Sequence, residues 1–266
     1  MGTVIDLQKL SKIYGFGESS VVALDAVDLI VEKGEFVAIM GPSGSGKSTL
    51  MNLIGLLDRA SHGVYKLDLK DVSKLRPRRR ARVRRDHVGF IFQSSNLIPG
   101  LTVLENVALP LAYKGMSQTK RLKKASETLE KVGLKNREYY FPRQLSGGQA
   151  QRTAIARALV NWPSIVLADE PTGNLDSATS LQTMELLKEI HKGGNTILMV
   201  THNSELTRYA TRVIYMRDGQ IEYDEKLKGD EAIDLAEVPA AVEYEQELLG
   251  KKAPKRKKNK GKGRRK

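Results

Sequence analysis

The chain has 266 residues, 40% hydrophobic and 28% charged, with a formal net charge of +13. That composition belongs to an ordinary soluble globular protein, long enough to bury a full core in one domain with a subdomain. The absence of cysteine excludes disulfides, thiolate catalysis and cysteine-ligated zinc, and no apolar run nears the roughly eighteen residues of a membrane helix.

Taken in chain order, residues 1–6 lack signal-peptide character, and position 6 is Asp rather than the Ser or Thr of a myristoylation signal. A cytoplasmic protein is therefore expected. Residues 3–14 (Val4, Ile5, Leu7, Leu10, Ile13) read as an edge strand, and the alternation over 21–31 as a second, antiparallel one. The apolar run 36–40 is a buried strand, and 50–54 opens a helix. Residues 63–69 alternate as another strand. Residues 76–85 hold seven arginines, and an apolar strand over 87–92 ends at Gln93.

From 94 to 160 the pattern turns helical, with helices expected over 102–111, 119–132 and 149–160, punctuated by Pro99-Gly100 and Gly133. Short apolar strands return at 164–168, 195–201 and 213–216, beside helices over 179–191 and 204–210. Such alternation predicts a mostly parallel sheet with right-handed crossovers. Asp218-Gly219 marks a hairpin turn. Over 222–247 ten acids face two lysines, and 251–266 carry eleven Lys or Arg and no acid, which leaves +2 for the rest of the chain. Opposed charge blocks without a core pattern read as extension and disorder.

Between the strand at 36–40 and the helix after it lies Gly41-Pro42-Ser43-Gly44-Ser45-Gly46-Lys47-Ser48-Thr49, with the P-loop spacing G-x-x-x-x-G-K-[ST]. Glycines let successive backbone N–H groups curl around phosphate oxygens, and the helix N-terminus adds partial positive charge there. Lys47 suits the β- and γ-phosphates, and the Ser48 hydroxyl suits Mg²⁺. The sequence therefore implies a nucleoside triphosphate. The apolar strand ending in Asp169-Glu170 delivers two carboxylates where ligands of open α/β sheets sit, although such a pair also begins many solvated loops. With the P-loop present, Asp169 suits Mg²⁺ and Glu170 suits a base for an attacking water. Leu145-Ser146-Gly147-Gly148-Gln149 opens a helix, as a second anion site or as a simple cap.

With that last stretch the chain resembles the nucleotide-binding subunits of ATP-binding-cassette (ABC) transporters over about residues 3–225. The resemblance identifies Walker A at 41–48, the Q-loop at Gln93, the signature at Leu145–Gln149 and Walker B at 165–170. It adds the D-loop at Asn174-Leu175-Asp176 and the switch histidine at His202. It implies an α/β fold: a P-loop NTPase (RecA-like) core over 1–93 and 161–225, with an antiparallel β subdomain and an inserted helical subdomain over 94–160. An acidic extension (226–250) and a basic tail (251–266) would follow. It also implies an ATP-dependent homodimer in which each ATP lies between one P-loop and the partner's Ser146–Gly148. Tyr14 would stack on adenine, or is a half-buried strand-end tyrosine. Gln93 would meet Mg²⁺ or the attacking water, or merely caps its strand. Asp176 would organise the interface, and His202 would contact the γ-phosphate and steady Glu170.

Gly89-Phe90-Ile91-Phe92-Gln93, residues 102–107 and residues 169–176 are similar to one clade, the lipoprotein-release and macrolide-efflux ATPases (LolD- and MacB-like) with the cell-division ATPase (FtsE-like). That clade implies a separate integral-membrane permease, with the cassette peripheral on the inner face of the membrane; a signalling role without transport is the alternative. The arginine run and the tail depart from the family pattern. Each reads as a solvated basic face or as a contact to anionic lipid. A nucleic-acid role is disfavoured, since the tail has no aromatic residue and the chain no second cassette.

Overall fold

The strand β3 (Phe36–Met40) is buried at every residue and divides the molecule. Phe36, Ala38 and Met40 face one hydrophobic core, while Val37 and Ile39 face another. The same two-residue alternation runs through β7 (Ile165–Asp169), β8 (Ile197–Val200) and β9 (Arg212–Arg217). A strand covered on both faces needs an unbroken apolar run, which is how these segments read in the sequence. They belong to a six-stranded sheet of order β10-β9-β3-β8-β7-β6, with β6 at Val88–Ile91 and β10 at Gln220–Lys226. Every pairing is parallel except β9 with β10.

The computed structural model describes residues 2–227 together with 238 and 241. One core lies between the main sheet, α1 (Lys47–Ile54) and a four-stranded antiparallel sheet of order β2-β1-β4-β5. Its strands are β1 (Thr3–Tyr14), β2 (Val21–Glu32), β4 (His62–Leu67) and β5 (Lys70–Asp71). The other core lies under α3 (Val103–Tyr113), α4 (Gln118–Lys131), α5 (Gly147–Leu159) and α6 (Ser177–Lys192). Helices α3 to α5 all fall between β6 and β7.

Four readings of the sequence need correction. The stretch 3–14 is not an edge strand: β1 pairs with β2 on one side and β4 on the other. Its buried Val4, Ile5, Leu7 and Leu10 gave the apolar pattern, but a partner some fifty residues downstream leaves no local mark. The arginine run lies on a helix, α2 (Pro77–His87), with Arg76 as its extended N-cap and Pro at its first position, where no backbone donor is lost. It continues through His87, so β6 starts one residue later than the apolar run suggested. The helix expected over 204–210 is a 3₁₀ turn, Ser204–Tyr209, capped by the Asn203 side chain. In the acidic extension, Val238 and Ala241 are buried in the core beneath α3 to α6, so those two positions are packed rather than extended. The remainder of 228–250 and the basic tail lie outside the described residues.

Candidate nucleotide site

Between β3 and α1 the backbone turns through Gly41, Gly44 and Gly46, all at positive φ. A Cβ on Gly41 would sit 2.1 Å from the Met216 carbonyl oxygen, and one on Gly46 would sit 2.6 Å from that of Ala23. Only glycine fits either position. The Ser45 carbonyl accepts from Gly219 N–H at 3.1 Å, which ties the β9–β10 turn to the loop. Helix α1 has no side-chain cap at Gly46, so none of its first N–H groups is taken up by a capping side chain. Lys47 is buried and folds back, donating to the carbonyls of Gly41 (2.8 Å) and Pro42 (2.7 Å). Ser48 and Thr49 follow it in the first helical turn, with Ser48 exposed.

Parallel β7 and β8 bring the next groups to the same end of the sheet. Asp169 ends β7, and Glu170 follows with φ 44°, a left-handed conformation that a side chain resists. Its N–H donates to the Val200 carbonyl at 3.0 Å, and its own carbonyl accepts from Gly173 at 3.0 Å. Strain held by neighbours in this way is common at reactive sites. His202, just beyond β8, places Nε2 2.7 Å from Glu170 Oε1. Burial pushes the Asp169 carboxyl up, and the adjacent Glu170 adds to that. Burial also lowers the Lys47 ammonium, opposed by Glu170 and Asp169, so the lysine and both carboxylates share one field.

Gln93 follows β6, with its carboxamide so close to Gly173 that a Cβ there would lie 2.7 Å from Nε2. Asn174 donates to the Gln93 carbonyl at 3.3 Å. The Leu145–Gln149 stretch is held differently. Ser146 caps α5 by accepting from Gln149 N–H at 3.3 Å, while the Gln149 side chain accepts from Ser146 N–H at 3.1 Å. Leu145 packs on the core. Gly147 and Gly148 form the first turn, and a Cβ on Gly148 would sit 2.4 Å from Thr179 Cγ2 on α6. Asp176 caps α6, accepting from Thr179 N–H (3.0 Å) and from its hydroxyl (2.6 Å), bonds that lower its carboxyl. Among the described residues no hydrogen bond joins 145–149 to the P-loop. The two glycine-rich helix ends are therefore not hydrogen-bonded to each other within one chain.

The family profile described as "ABC transporter" matches residues 24–173, which hold the P-loop, Gln93, the Ser146 cap and both carboxylates. The chain belongs to the ABC transporter family. The cassette is 49% identical over 223 residues to the ABC transporter ATP-binding protein YvrO of Bacillus subtilis, covering 84% of this chain and 97% of that protein. It is 49% identical over 218 residues to the macrolide export ATP-binding/permease protein MacB of Mannheimia succiniciproducens, covering 82% of this chain but 34% of that longer protein. The solved dimer of the cassette MJ0796 of Methanocaldococcus jannaschii, bound to ADP and Pi, superposes with a TM-score of 0.77 at 47% identity. That match covers 85% of this chain and 99% of the other. The cassette is an ATPase, and the MacB similarity agrees with the clade that the sequence resembles.

Several residues around the site carry no local signal and emerge only from the fold. Gln151 donates to the Phe92 carbonyl at 3.0 Å, and Arg157 donates to those of Ser95 (2.7 Å) and Asn96 (2.8 Å). The signature helix thereby clasps the backbone on both sides of Gln93. A groove of about 690 Å³ opens between α2 and α3, lined by Phe90, Phe92, Leu109, Tyr113 and by Arg78, Arg82, Arg84, Arg85 and Arg157. Among the described residues no helix is long and apolar enough to cross a membrane.

Proposed function

We propose that two copies of this cassette close on two ATP molecules and that hydrolysis reopens them, driving a membrane permease carried on a separate chain. The observation that carries this reading is the convergence of Lys47, Asp169, Glu170 and His202 at the C-terminal ends of β3, β7 and β8. Gly41–Thr49 would hold the phosphates through backbone N–H groups, and Lys47 would leave its carbonyls for the β- and γ-oxygens. Glu170, oriented by His202, would take the proton of the attacking water. Ser146 accepts one hydrogen bond as a cap and keeps its own O–H to donate, which suits the γ-phosphate of an ATP held by the partner copy. Tyr14 would receive the adenine, and Asp176 would lie at the dimer seam.

The oxygen donors Ser48, Gln93 and Asp169 fit Mg²⁺, a hard cation that keeps several waters. Bound there, it would neutralise phosphate charge. The arginine-lined groove suits the permease, because it is large, partly apolar and set between α2 and the helical segment. By similarity to MacB, the work is efflux or lipoprotein release, with the cassette held at the inner face of the membrane. The eleven cations of 251–266 would add anionic-lipid contact, at about 1 kcal/mol for each residue that reaches the surface.

Glu170→Gln tests the catalytic assignment. Steady-state ATP turnover should fall by about 10²–10⁴-fold while ATP binding survives. Size-exclusion chromatography should show a dimer that depends on ATP. A variant that stays monomeric in saturating Mg-ATP would refute the sandwich.

A further inference from the structure

Tyr14 ends β1 and is 41% exposed as a residue, on a hairpin whose β2 strand touches the P-loop at Gly46. An exposed aromatic side chain ordinarily samples several rotamers within nanoseconds. Here two contacts hold it. The Tyr14 hydroxyl donates to Asp58 Oδ2 at 3.0 Å, and Lys12 Nζ lies 4.6 Å from the ring centroid. Lys12 also binds Asp58 Oδ2 at 2.8 Å and donates to the Arg59 carbonyl at 2.8 Å. The Arg59 N–H donates to Asp58 Oδ1 at 2.6 Å, completing the cluster.

The Lys12 side chain is only 11% exposed, unlike an ordinary surface lysine. Burial by itself would raise the Asp58 carboxyl. Hydrogen bonds from Lys12, the Arg59 N–H and Tyr14 outweigh it and hold the group below the usual carboxylate range. The acceptor is therefore ionised at neutral pH. Asp58 stands just beyond α1, so it joins the tyrosine to the same helix that carries Lys47 at its other end. Lys12 sits over the ring on one side, and Tyr14 as a whole keeps 41% of its surface exposed. A cation on one side also draws π density from the ring, which suits an electron-rich purine on the other.

We propose that Lys12 and Asp58 are positioning residues for the nucleobase: together they clamp Tyr14 by its hydroxyl and one ring face, presenting the other face to adenine. This rests on the reading of Tyr14 as the adenine-stacking residue. The clamp acts on the base and not on the phosphates, so its loss should be felt by ATP and not by inorganic tripolyphosphate.

The test is equilibrium binding of both ligands to the full-length protein as wild type, Tyr14→Ala, Asp58→Ala, Lys12→Met and the Tyr14→Ala/Asp58→Ala double variant. Asp58→Ala and Lys12→Met should each weaken ATP by about three- to tenfold and leave tripolyphosphate unchanged. Asp58→Ala should have no further effect in the Tyr14→Ala background. Equal weakening of both ligands would mean that the cluster only supports the P-loop, and would overturn the proposal. So would an Asp58→Ala effect that persists in the double variant. If Tyr14→Ala weakens ATP while Lys12→Met and Asp58→Ala do not, the clamp alone fails. If Tyr14→Ala leaves ATP binding intact, the adenine reading itself fails. Asp58→Asn keeps an acceptor for the tyrosine hydroxyl and should lose less than Asp58→Ala. Should Asp58→Ala not fold, Asp58→Asn and Lys12→Met carry the same decision.

Discussion

The N-termini of α1 and α5 are both glycine-rich, yet the fold finishes them in opposite ways. Helix α1 begins at Gly46 in the left-handed region without a side-chain cap, and Lys47 turns inward. No side chain caps its first N–H groups, at a place where phosphate oxygens would satisfy them. Helix α5 begins with a reciprocal box between Ser146 and Gln149, and α3 carries the same device in Thr102 and Glu105. One end is complete only with an anion. The other is already capped as a helix end, and one of its glycines, Gly148, packs closely on Thr179 of α6. Within its own chain, then, α1 offers an anion its uncapped backbone donors, whereas α5 can offer only what its cap leaves over, the Ser146 hydroxyl proton among it.

Substitutions that separate these two ends should have the largest effects. Lys47→Ala should weaken ATP binding by about a hundredfold or more in isolated monomers, measured by equilibrium binding. Ser146→Arg should leave monomer binding near wild type but abolish ATP-dependent dimerisation and turnover, read by chromatography and phosphate release. Normal turnover in that variant would reduce Ser146 to a cap.

A finer cut compares the twin boxes. Ser146→Ala and Thr102→Ala should each cost about 1 kcal/mol of stability in denaturant unfolding. Only Ser146→Ala should also slow ATP turnover. Equal activity in the two variants would erase the distinction drawn here.

The smallest expected effect is a pH dependence at Asp58. Its carboxyl is depressed in the folded state, so its contribution to stability is present above the unfolded value of roughly 4 and is lost as pH falls through the folded value. The difference in melting temperature between wild type and Asp58→Asn should therefore shrink on acidification. A constant difference down to strongly acid pH would mean that the carboxylate charge is not what stabilises the cluster.

Much of the site could be read from residue order because its chemistry is local. Backbone N–H groups that converge need consecutive glycines, and carboxylates at a strand end need an apolar run before them, so 41–49 and 165–170 announced themselves. The two-core alternation of β3, β7, β8 and β9 was hidden in plain apolar runs, since strands covered on both faces show no polar period. The edge reading of 3–14 failed because pairing with β4 depends on a strand about fifty residues away. The Tyr14 clamp was illegible for the same reason: Lys12 and Asp58 lie 46 residues apart in sequence and 2.8 Å apart in space.

By itself, then, the sequence determined the chemistry that neighbouring residues make together: the P-loop, the paired carboxylates of β7, the glycine-opened helix at 147 and the absence of thiol chemistry. Only the tertiary structure decided what distant residues do to one another. It set Glu170 in a strained conformation against His202, laid α5 against the backbone around Gln93, and bound Tyr14 to Asp58. The physical reason is range. Backbone conformation and hydrogen-bonding capacity are properties of adjacent residues, whereas burial, charge fields and side-chain orientation arise only when separate segments pack.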